Sequence, residues 1–256
     1  MPGTAELAHL EGVAQGPVLR ELLVVRQDEE TRAWLPVGRL RQHPDGYSFG
    51  YVRDVLTQEG FVPLLGYRDV HELYRSASLA PLFSQRVMSD RRGDRVLVLE
   101  GLDLLPDSSP MDFLAATHGE REGDHIRLFE VPEPEPDGSV QLTFLVHGIR
   151  HVGGADSRAL KVHAGEALDL RPEPDNEHND QALLVVSGDE PLGYVPDVLL
   201  PYVHRVLQHE GWVLRAVRAS GPGVSVQRRL LVRLEGRLEA VGRDVDDHLC
   251  LVAGGA

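Results

Sequence analysis

The polar loop from Glu173 to Gln181 concentrates side chains that could hold a metal ion. The carboxylates of Glu173, Asp175 and Asp180 lie close in sequence to the imidazole of His178. Divalent cations accept carboxylate oxygens and imidazole nitrogens as ligands, so one interpretation is a metal-dependent hydrolase acting on nucleic acid. The other is a network of turns, because Asn and Asp side chains bond the nearby backbone there. The loop alone does not separate these interpretations.

A second set of candidate residues is cationic and aromatic. Arg150 and His151 end the strand predicted from Val140 to Arg150, and a guanidinium can grip a phosphate with two parallel hydrogen bonds. The alternative is that both residues belong to an ordinary polar turn. Tyr194, in the strand predicted from Leu192 to Val195, is either part of the wall of the domain or a surface on which a base stacks.

Arginines also recur near the end of the chain. Arg229, Arg233 and Arg237 share one parity in the strand predicted from Gln227 to Leu238, which places them on one face. They therefore indicate either a solvated face or a groove that follows a nucleic-acid backbone.

Two sequence signatures of enzymes are absent from the chain. No Gly-x-Ser-x-Gly elbow supports a serine nucleophile. No Gly-x-x-x-x-Gly-Lys loop is present to bind nucleotide phosphates. We therefore expect no catalytic residues, no cofactor and no resident metal, and favour a protein that is not an enzyme.

The composition is that of a water-soluble protein with an acidic surface. The net charge of −14 argues against coating duplex nucleic acid, although a local basic groove remains compatible with it. The single cysteine, Cys250, excludes an internal disulfide framework. The chain has neither an apolar run long enough to cross a membrane nor a basic leader, so we expect a cytoplasmic protein without a membrane partner.

The pattern of elements predicts an α+β protein with two domains. The segment from Pro132 to Gly138 alternates proline with acids and should stay extended. The predicted parts are a disordered tail at 1–16, an α+β domain with a β-meander and short helices at 17–131, this linker at 132–138, a small β-barrel domain with one helix at 139–243, and a C-terminal tail at 244–256.

Several local predictions carry this division. In the first half, Asp69 should cap a helix reaching Tyr74, and Ser109 should cap a helix beginning at Pro110. The segment from Arg95 to Leu105 reads locally as either strand or helix. The apolar loop from Phe61 to Tyr67 should pack against the first helix rather than form a ligand pocket.

The second half is predicted to be mostly β. A hairpin is expected between Leu160 and Leu170, with its turn at 163–166, and a strand from Ala182 to Val186. A helix should open at Pro196 or Asp197 and run to about His209.

Five pieces in this half occur in the order found in HIRAN domains, and the region from Phe144 to Leu207 resembles that family. The pieces are Gly148-Ile149-Arg150-His151, Gly165-Glu166-Ala167-Leu168-Asp169-Leu170, Glu173-Pro174-Asp175-Asn176, Ala182-Leu183-Leu184-Val185 and Leu192-Gly193-Tyr194-Val195-Pro196. The resemblance implies an OB-like barrel that grips the end of single-stranded DNA, in some members the 3′-hydroxyl end.

The resemblance also implies which residues form the grip. Arg150 matches the family's arginine, and His151 and His178 stand where aromatic residues are usual. Asn179 replaces an aspartate that would accept the terminal hydroxyl, and Tyr194 follows the family's glycine. Asp197 falls where a basic phosphate contact is usual.

The first half also resembles part of stand-alone bacterial HIRAN proteins. The pieces 47–52, 61–64 and 82–88 are similar to the segment that precedes HIRAN there, and this likeness implies that Arg95 to Leu105 is helical. The leading hypothesis is a non-catalytic module that binds single-stranded DNA or 3′ ends. It would recruit a repair or defence partner through the N-terminal domain. The main alternative is a protein-interaction adaptor that has lost DNA binding.

Overall fold

The structure is a computed structural model that describes residues 17–29, 34–121, 123–238 and 251–252. These residues divide into two compact units. Unit 1 comprises the described residues up to 131 together with 251–252, and unit 2 comprises residues 132–238. The tail predicted at 1–16 lies outside the described residues, as do residues 239–250.

Unit 1 is built on a five-stranded antiparallel sheet with strand order β4-β3-β2-β1-β5. Its strands are β1 (Arg20–Gln27), β2 (Trp34–His43), β3 (Gly46–Tyr51), β4 (Tyr74–Ser76) and β5 (Ile126–Glu130). The first three form the predicted meander, since β2 pairs with both β1 and β3. Their many β-branched and aromatic residues fit a pleated, half-buried surface.

Three short helices complete unit 1. They are α1 (Pro81–Ser84), α2 (Arg95–Gly101) and α3 (Pro110–Thr117), and a 3-10 helix spans Arg53–Leu56. The cap predicted at Ser109 is confirmed: its hydroxyl accepts the Asp112 amide at 3.2 Å, and the Asp112 carboxylate accepts the Ser109 amide at 2.7 Å. The helix expected after Asp69 is wrong, because Asp69 closes a local turn to the His71 amide and Tyr74 enters β4.

The core of unit 1 is rich in aromatic side chains. The rings of Phe49, Tyr51, Tyr67 and Phe83 are buried, with the centroids of Phe49 and Tyr67 4.6 Å apart. The loop from Phe61 to Tyr67 thus packs on β3 through both of these aromatic residues, and on α1 through Tyr67. Leu251, assigned by sequence to a tail, instead bridges Val52 at the end of β3.

Unit 2 contains a six-stranded antiparallel sheet with strand order β6-β11-β10-β7-β8-β9. Its strands are β6 (Ser139–Leu145), β7 (Ala167–Pro172), β8 (Leu183–Ser187), β9 (Glu190–Tyr194), β10 (Val213–Ala219) and β11 (Leu230–Arg237). On β6, Leu142 and Phe144 lie on the buried face, since alternate residues of a strand point to the same side, and Val146 just beyond the strand is also buried.

The two edge strands of this sheet approach each other at one point. His147, just beyond β6, and Tyr194 on β9 form an isolated antiparallel bridge. The ladders also contain register shifts, in β8 between Val185 and Val186 and in β10 between Ala216 and Arg218. The α+β class with two antiparallel sheets is confirmed, but in the described residues no continuous ladder closes the second sheet into a barrel.

Two helices pack in unit 2, α4 (Ala155–Ala159) and α5 (Leu200–Leu207). Helix α5 follows a 3-10 turn at Asp197–Leu199 and buries Val203 and Val206, as predicted. The expected hairpin between Leu160 and Leu170 is wrong, because Leu160 ends α4 and β7 begins only at Ala167. In the part of the chain that the structure describes, no helix is both long and apolar enough to cross a bilayer.

The segment predicted to be an extended linker, residues 132–138, belongs to unit 2. The Gly138 amide donates to the Glu135 carbonyl at 2.8 Å, which closes a turn before β6. The Leu238 amide donates to the Gly138 carbonyl at 2.9 Å, so this turn is tied to the end of β11.

Candidate nucleic-acid interface

The bridge between His147 and Tyr194 brings together pieces of sequence that lie far apart. Each amide donates to the other residue's carbonyl, at 2.9 and 2.8 Å. A Cβ at Gly193 (φ +146°) would lie 2.5 Å from the His147 carbonyl oxygen, and one at Gly148 (φ +67°) would lie 2.9 Å from Cδ2 of Tyr194. Glycine is therefore required at both positions, and the Tyr194 ring lies directly against the backbone of Gly148.

The hydroxyl of Tyr194 is held in a defined direction. It donates to Oε2 of Glu173 at 2.9 Å, and the side-chain amide of Asn176 donates to the same oxygen at 2.6 Å. Burial and, next, the hydrogen bond to Glu173 raise the pKa of Tyr194 above its ordinary value, so the hydroxyl stays protonated at neutral pH. The ring itself is only half-buried.

The loop from Glu173 to Gln181 is a network of Asx turns. Oδ1 of Asn176 accepts the amides of His178 and Asn179, at 3.0 and 3.2 Å. Oδ1 of Asn179 accepts the Gln181 amide at 2.9 Å. The far end is fixed by His204, whose Nε2 lies 2.8 Å from the Gln181 carbonyl oxygen. The loop conformation is therefore determined mainly by its own asparagines.

This network leaves no described metal site in the loop. The four residues that suggested one do not converge, and among the described residues no group of three His, Cys, Asp or Glu side chains is arranged to hold an ion. Glu173 instead accepts from Tyr194 and Asn176. The turn interpretation of the loop describes the observed contacts.

Asn179 makes a contact that the sequence did not predict. Its Nδ2 donates to Oδ1 of Asp197 at 3.3 Å, while its own oxygen is engaged by Gln181. The carboxylate of Asp197 therefore lies beside the position where the resemblance implied a hydroxyl acceptor. The side chain of His178 is exposed at the same loop.

Arg150 and His151 lie at the surface, on a short 3-10 helix (Ile149–His151) rather than on a strand. Buried Ile149 anchors this helix, which packs against β9. Nε of Arg150 donates to Nε2 of His151 at 2.9 Å, and in the described structure neither side chain forms an ion pair with a carboxylate. The two residues thus lie two and three positions after Gly148, the glycine against which the Tyr194 ring lies.

Arg229 does not share a face of β11 with Arg233 and Arg237, which have the same parity within that strand. Residues 226–228 form a 3-10 helix, so β11 begins after Arg229. Arg229 is buried, donating to Oδ1 of Asp156 at 2.7 Å and to the Ser220 carbonyl at 3.0 Å. Arg233 is half-buried on β11, and its Nε donates to the Thr143 hydroxyl at 3.3 Å. Arg229 therefore supports the fold from a buried position, where the phosphate of a bound nucleic acid does not reach it.

Of the candidate residues, the structure groups Arg150, His151 and Tyr194 at one end of the second sheet, and we call these three the rim. The loop carrying His178 and Asn179 joins the rim through the bond between Glu173 and Tyr194. Sequence reasoning assigned Asn176 only to a motif and considered the Glu173 carboxylate only as a metal ligand. The three-residue spacing of a carboxylate and an asparagine in a turn is the signal that was available.

Comparisons with known proteins give distant likenesses. No family model matches the chain, and no curated protein matches it. Among solved structures, the HIRAN domain of human HLTF is 18% identical over 41% of this chain and 84% of that chain, with a TM-score of 0.30. A protein from Lactobacillus plantarum is 22% identical over 38% of this chain and 99% of that chain, with a TM-score of 0.28. TM-scores this low do not establish a shared fold.

Proposed function

We propose that unit 2 is a non-catalytic module that binds the end of single-stranded DNA at the rim. The observation that carries this proposal is the arrangement around Gly148. The backbone bridge carries the half-exposed ring of Tyr194. Two and three positions after Gly148 stand an exposed guanidinium, that of Arg150, and an exposed imidazole, that of His151. Single-stranded nucleic acid is bound by rings that stack on bases and cations that contact the backbone. The order of HIRAN-like pieces in the sequence supports the same function.

The rim is better suited to contact with a few nucleotides than with a long stretch of a DNA strand. The chain carries a net charge of −14, and the carboxylates of Glu173 and Asp197 lie on or beside the loop that meets Tyr194. Phosphates farther along a strand would be repelled by such a surface. An end-binding module needs only a few nucleotides. In this proposal unit 1 would contact a repair or defence partner.

The test is a fluorescence-anisotropy titration at low salt with matched oligonucleotides ending in a 3′-hydroxyl or a 3′-phosphate. We expect binding with a salt dependence of about one or two phosphate contacts. Arg150→Ala should weaken it about tenfold, which corresponds to the loss of one charge-assisted contact. Tighter binding of the hydroxyl end would support selectivity for 3′ ends.

The matched control is Arg171→Ala. Arg171 is an exposed arginine of the same unit that pairs with Asp189 at 3.3 Å, so the two variants lose the same charge. If neither oligonucleotide binds, or if both variants weaken binding equally, the rim is not the site. If no oligonucleotide binds, a second candidate function is favoured, that of a protein-interaction adaptor. The carboxylate of Asp197 beside Asn179 is the observation that supports it.

A further inference from the structure

Unit 1 contains a cleft of about 480 Å³ that is independent of the rim. One wall is the loop at Pro63, Leu64 and Leu65, and the other is formed by residues 121 and 123–126. The side chain of Arg26, at the end of β1, also lines it. The volume falls within the range of about 300–1,000 Å³ that is typical of sites for small molecules.

A buried hydroxyl fixes the conformation of the loop that forms the first wall. The hydroxyl of Tyr51 accepts the Leu64 amide at 2.7 Å and donates to the Tyr67 carbonyl at 2.6 Å. Nη1 of Arg26 donates to the Val62 carbonyl at 2.6 Å. These three bonds hold the loop in place before any ligand arrives, and such preorganisation reduces the entropy lost on binding.

The second wall is fixed by a buried guanidinium. Arg86 donates to the Gly119 carbonyl at 3.0 Å and also pairs with the Asp124 carboxylate. The other oxygen of Asp124 accepts the Ile126 amide at 2.7 Å. Both carboxylate oxygens of Asp124 are thus bonded to Arg86 and Ile126, and not to Arg26 or Arg121, the two arginines that line the cleft.

Among the described lining residues, the cations that remain without an ion pair are two arginines. Asp124 is the only carboxylate among the described lining residues, and Arg86 neutralises it. Arg26 lies over the ring of Phe61, 4.8 Å from its centroid, and Arg121 donates to the side-chain oxygen of Gln85 at 2.9 Å. Neither of these two arginines forms an ion pair with a described carboxylate.

An apolar surface accompanies these cations. Leu65 lines the cleft and is 87% exposed, and Val62 on the same loop is 66% exposed. The loop therefore presents aliphatic side chains to solvent, one of them in the cleft itself.

We propose that this cleft binds a small amphipathic anion, with a carboxylate or phosphate between Arg26 and Arg121 and an apolar body against Leu65. The two guanidiniums attract either headgroup, and the aliphatic loop covers the hydrocarbon part. The probe we choose is anilinonaphthalene sulfonate, whose fluorescence rises when an apolar site excludes water. It is used with the full-length chain.

Two variants and a control test the role of charge. Arg26→Gln and Arg121→Gln should each raise the dissociation constant of the probe about tenfold. Arg92→Gln should leave it unchanged, because Arg92 is an exposed arginine of the same unit that pairs with Asp94 at 2.5 Å. Equal binding by all four proteins would overturn the proposal, as would an equal loss in all three variants.

Leu65→Asp is a further variant in which a loss of binding would not be caused by unfolding. Its side chain is exposed, so the fold should tolerate the change, and the new carboxylate should abolish binding. Competition then identifies the headgroup: 1-naphthoate and 1-naphthyl phosphate should displace the probe, and the ratio of their affinities separates carboxylate from phosphate ligands. Displacement by the neutral 1-naphthamide at the same concentration would refute a site for anions.

Discussion

The two units hold their candidate binding surfaces by different means. In unit 1, side chains anchor the loops: the hydroxyl of Tyr51 ties down one wall of the cleft and the guanidinium of Arg86 ties down the other. In unit 2, the backbone of Tyr194 pairs with that of His147 at the rim. Tyr194 is held through its backbone, which leaves its side chain available to a ligand. The side chains of Tyr51 and Arg86, which hold the loops of unit 1, are buried.

The same contrast separates arginines of equal charge. Arg86 and Arg229 are buried and bonded to carbonyls, one in each unit. Arg26 and Arg150 reach the surface without a described carboxylate partner. Burial, rather than residue type or position in a motif, decides which arginine supports the fold and which is available for an anion.

The largest expected effect comes from removing the buried anchor of unit 1. Arg86→Met should lower the free energy of unfolding of unit 1 by about 4 kcal/mol, because it leaves a carboxylate and two carbonyls without their donor. Urea unfolding would be followed through Trp34 in a Trp212→Phe background, since the chain has 2 tryptophans, one in each unit. Arg121→Met is the control, and a similar loss there would show that Arg86 is not a special anchor.

The corresponding change in unit 2 alters the backbone bridge. Gly193→Ala should destabilise unit 2 by about 3 kcal/mol, because the new Cβ combines an unfavourable φ with a clash against the His147 carbonyl. Unfolding would be followed through Trp212 in a Trp34→Phe background. Gly188→Ala also has positive φ (+58°) but no atom within 4 Å, so it should cost only about 1 kcal/mol. Equal effects would mean that the close approach at Gly193 is unimportant.

Sequence reasoning succeeded where the signal is local. The meander of β1 to β3 follows from alternating residues and turn chemistry, and the cap at Ser109 from a serine before Pro110. Gly148 and Gly193, both in the HIRAN-like pieces, lie at the bridge between His147 and Tyr194, which the sequence analysis did not predict. The meander turns and the helix cap, by contrast, are determined by a few neighbouring residues.

The failures have a common physical cause, which is contact with a residue outside the motif that suggested the prediction. Parity along a presumed strand placed Arg229 on an arginine face, whereas its partner Asp156 lies 73 positions away and draws it into the interior. Asp69 looked like a helix cap, yet its amide bonds the hydroxyl of Tyr74 as that residue enters β4. The cleft was missed because Arg86 and Asp124 neutralise each other across 38 positions, and no local pattern records such pairs.

A smaller effect is expected from the second anchor of unit 1. Tyr51→Phe should destabilise unit 1 by about 2 kcal/mol, because the Leu64 amide and the Tyr67 carbonyl lose their shared partner in the interior. Tyr74→Phe is the matched control, since its hydroxyl bonds Asp69 at an exposed position. A loss below about 0.5 kcal/mol for Tyr51→Phe would show that water replaces the hydroxyl and that the first wall is not preorganised.

Alkaline pH tests the same hydroxyl without changing its ring. Burial raises the pKa of Tyr51 to about 12 from an unfolded value of 10.0. A group whose pKa is raised in the folded state gives its full stabilisation below pH 10, and this is lost as the pH rises through about 12. Wild-type unit 1 should therefore lose more stability between pH 9 and 11.5 than the Tyr51→Phe variant, as measured by urea unfolding through Trp34. Parallel pH profiles for the two proteins would contradict the assigned burial of the hydroxyl.

The smallest change in stability is expected at the rim, and it tests the contrast most directly. Tyr194→Phe removes one half-exposed hydrogen bond to Glu173 and should cost about 1 kcal/mol or less. Since the ring remains against Gly148, affinity for an oligonucleotide should stay within about threefold of wild type. Tyr194→Ala removes the ring and should weaken binding about tenfold or more, as expected for one stacked base. If Tyr194→Phe binds as poorly as Tyr194→Ala, the hydroxyl rather than the ring acts at the rim. Tyr194 would then resemble Tyr51, a side chain whose hydroxyl positions a loop.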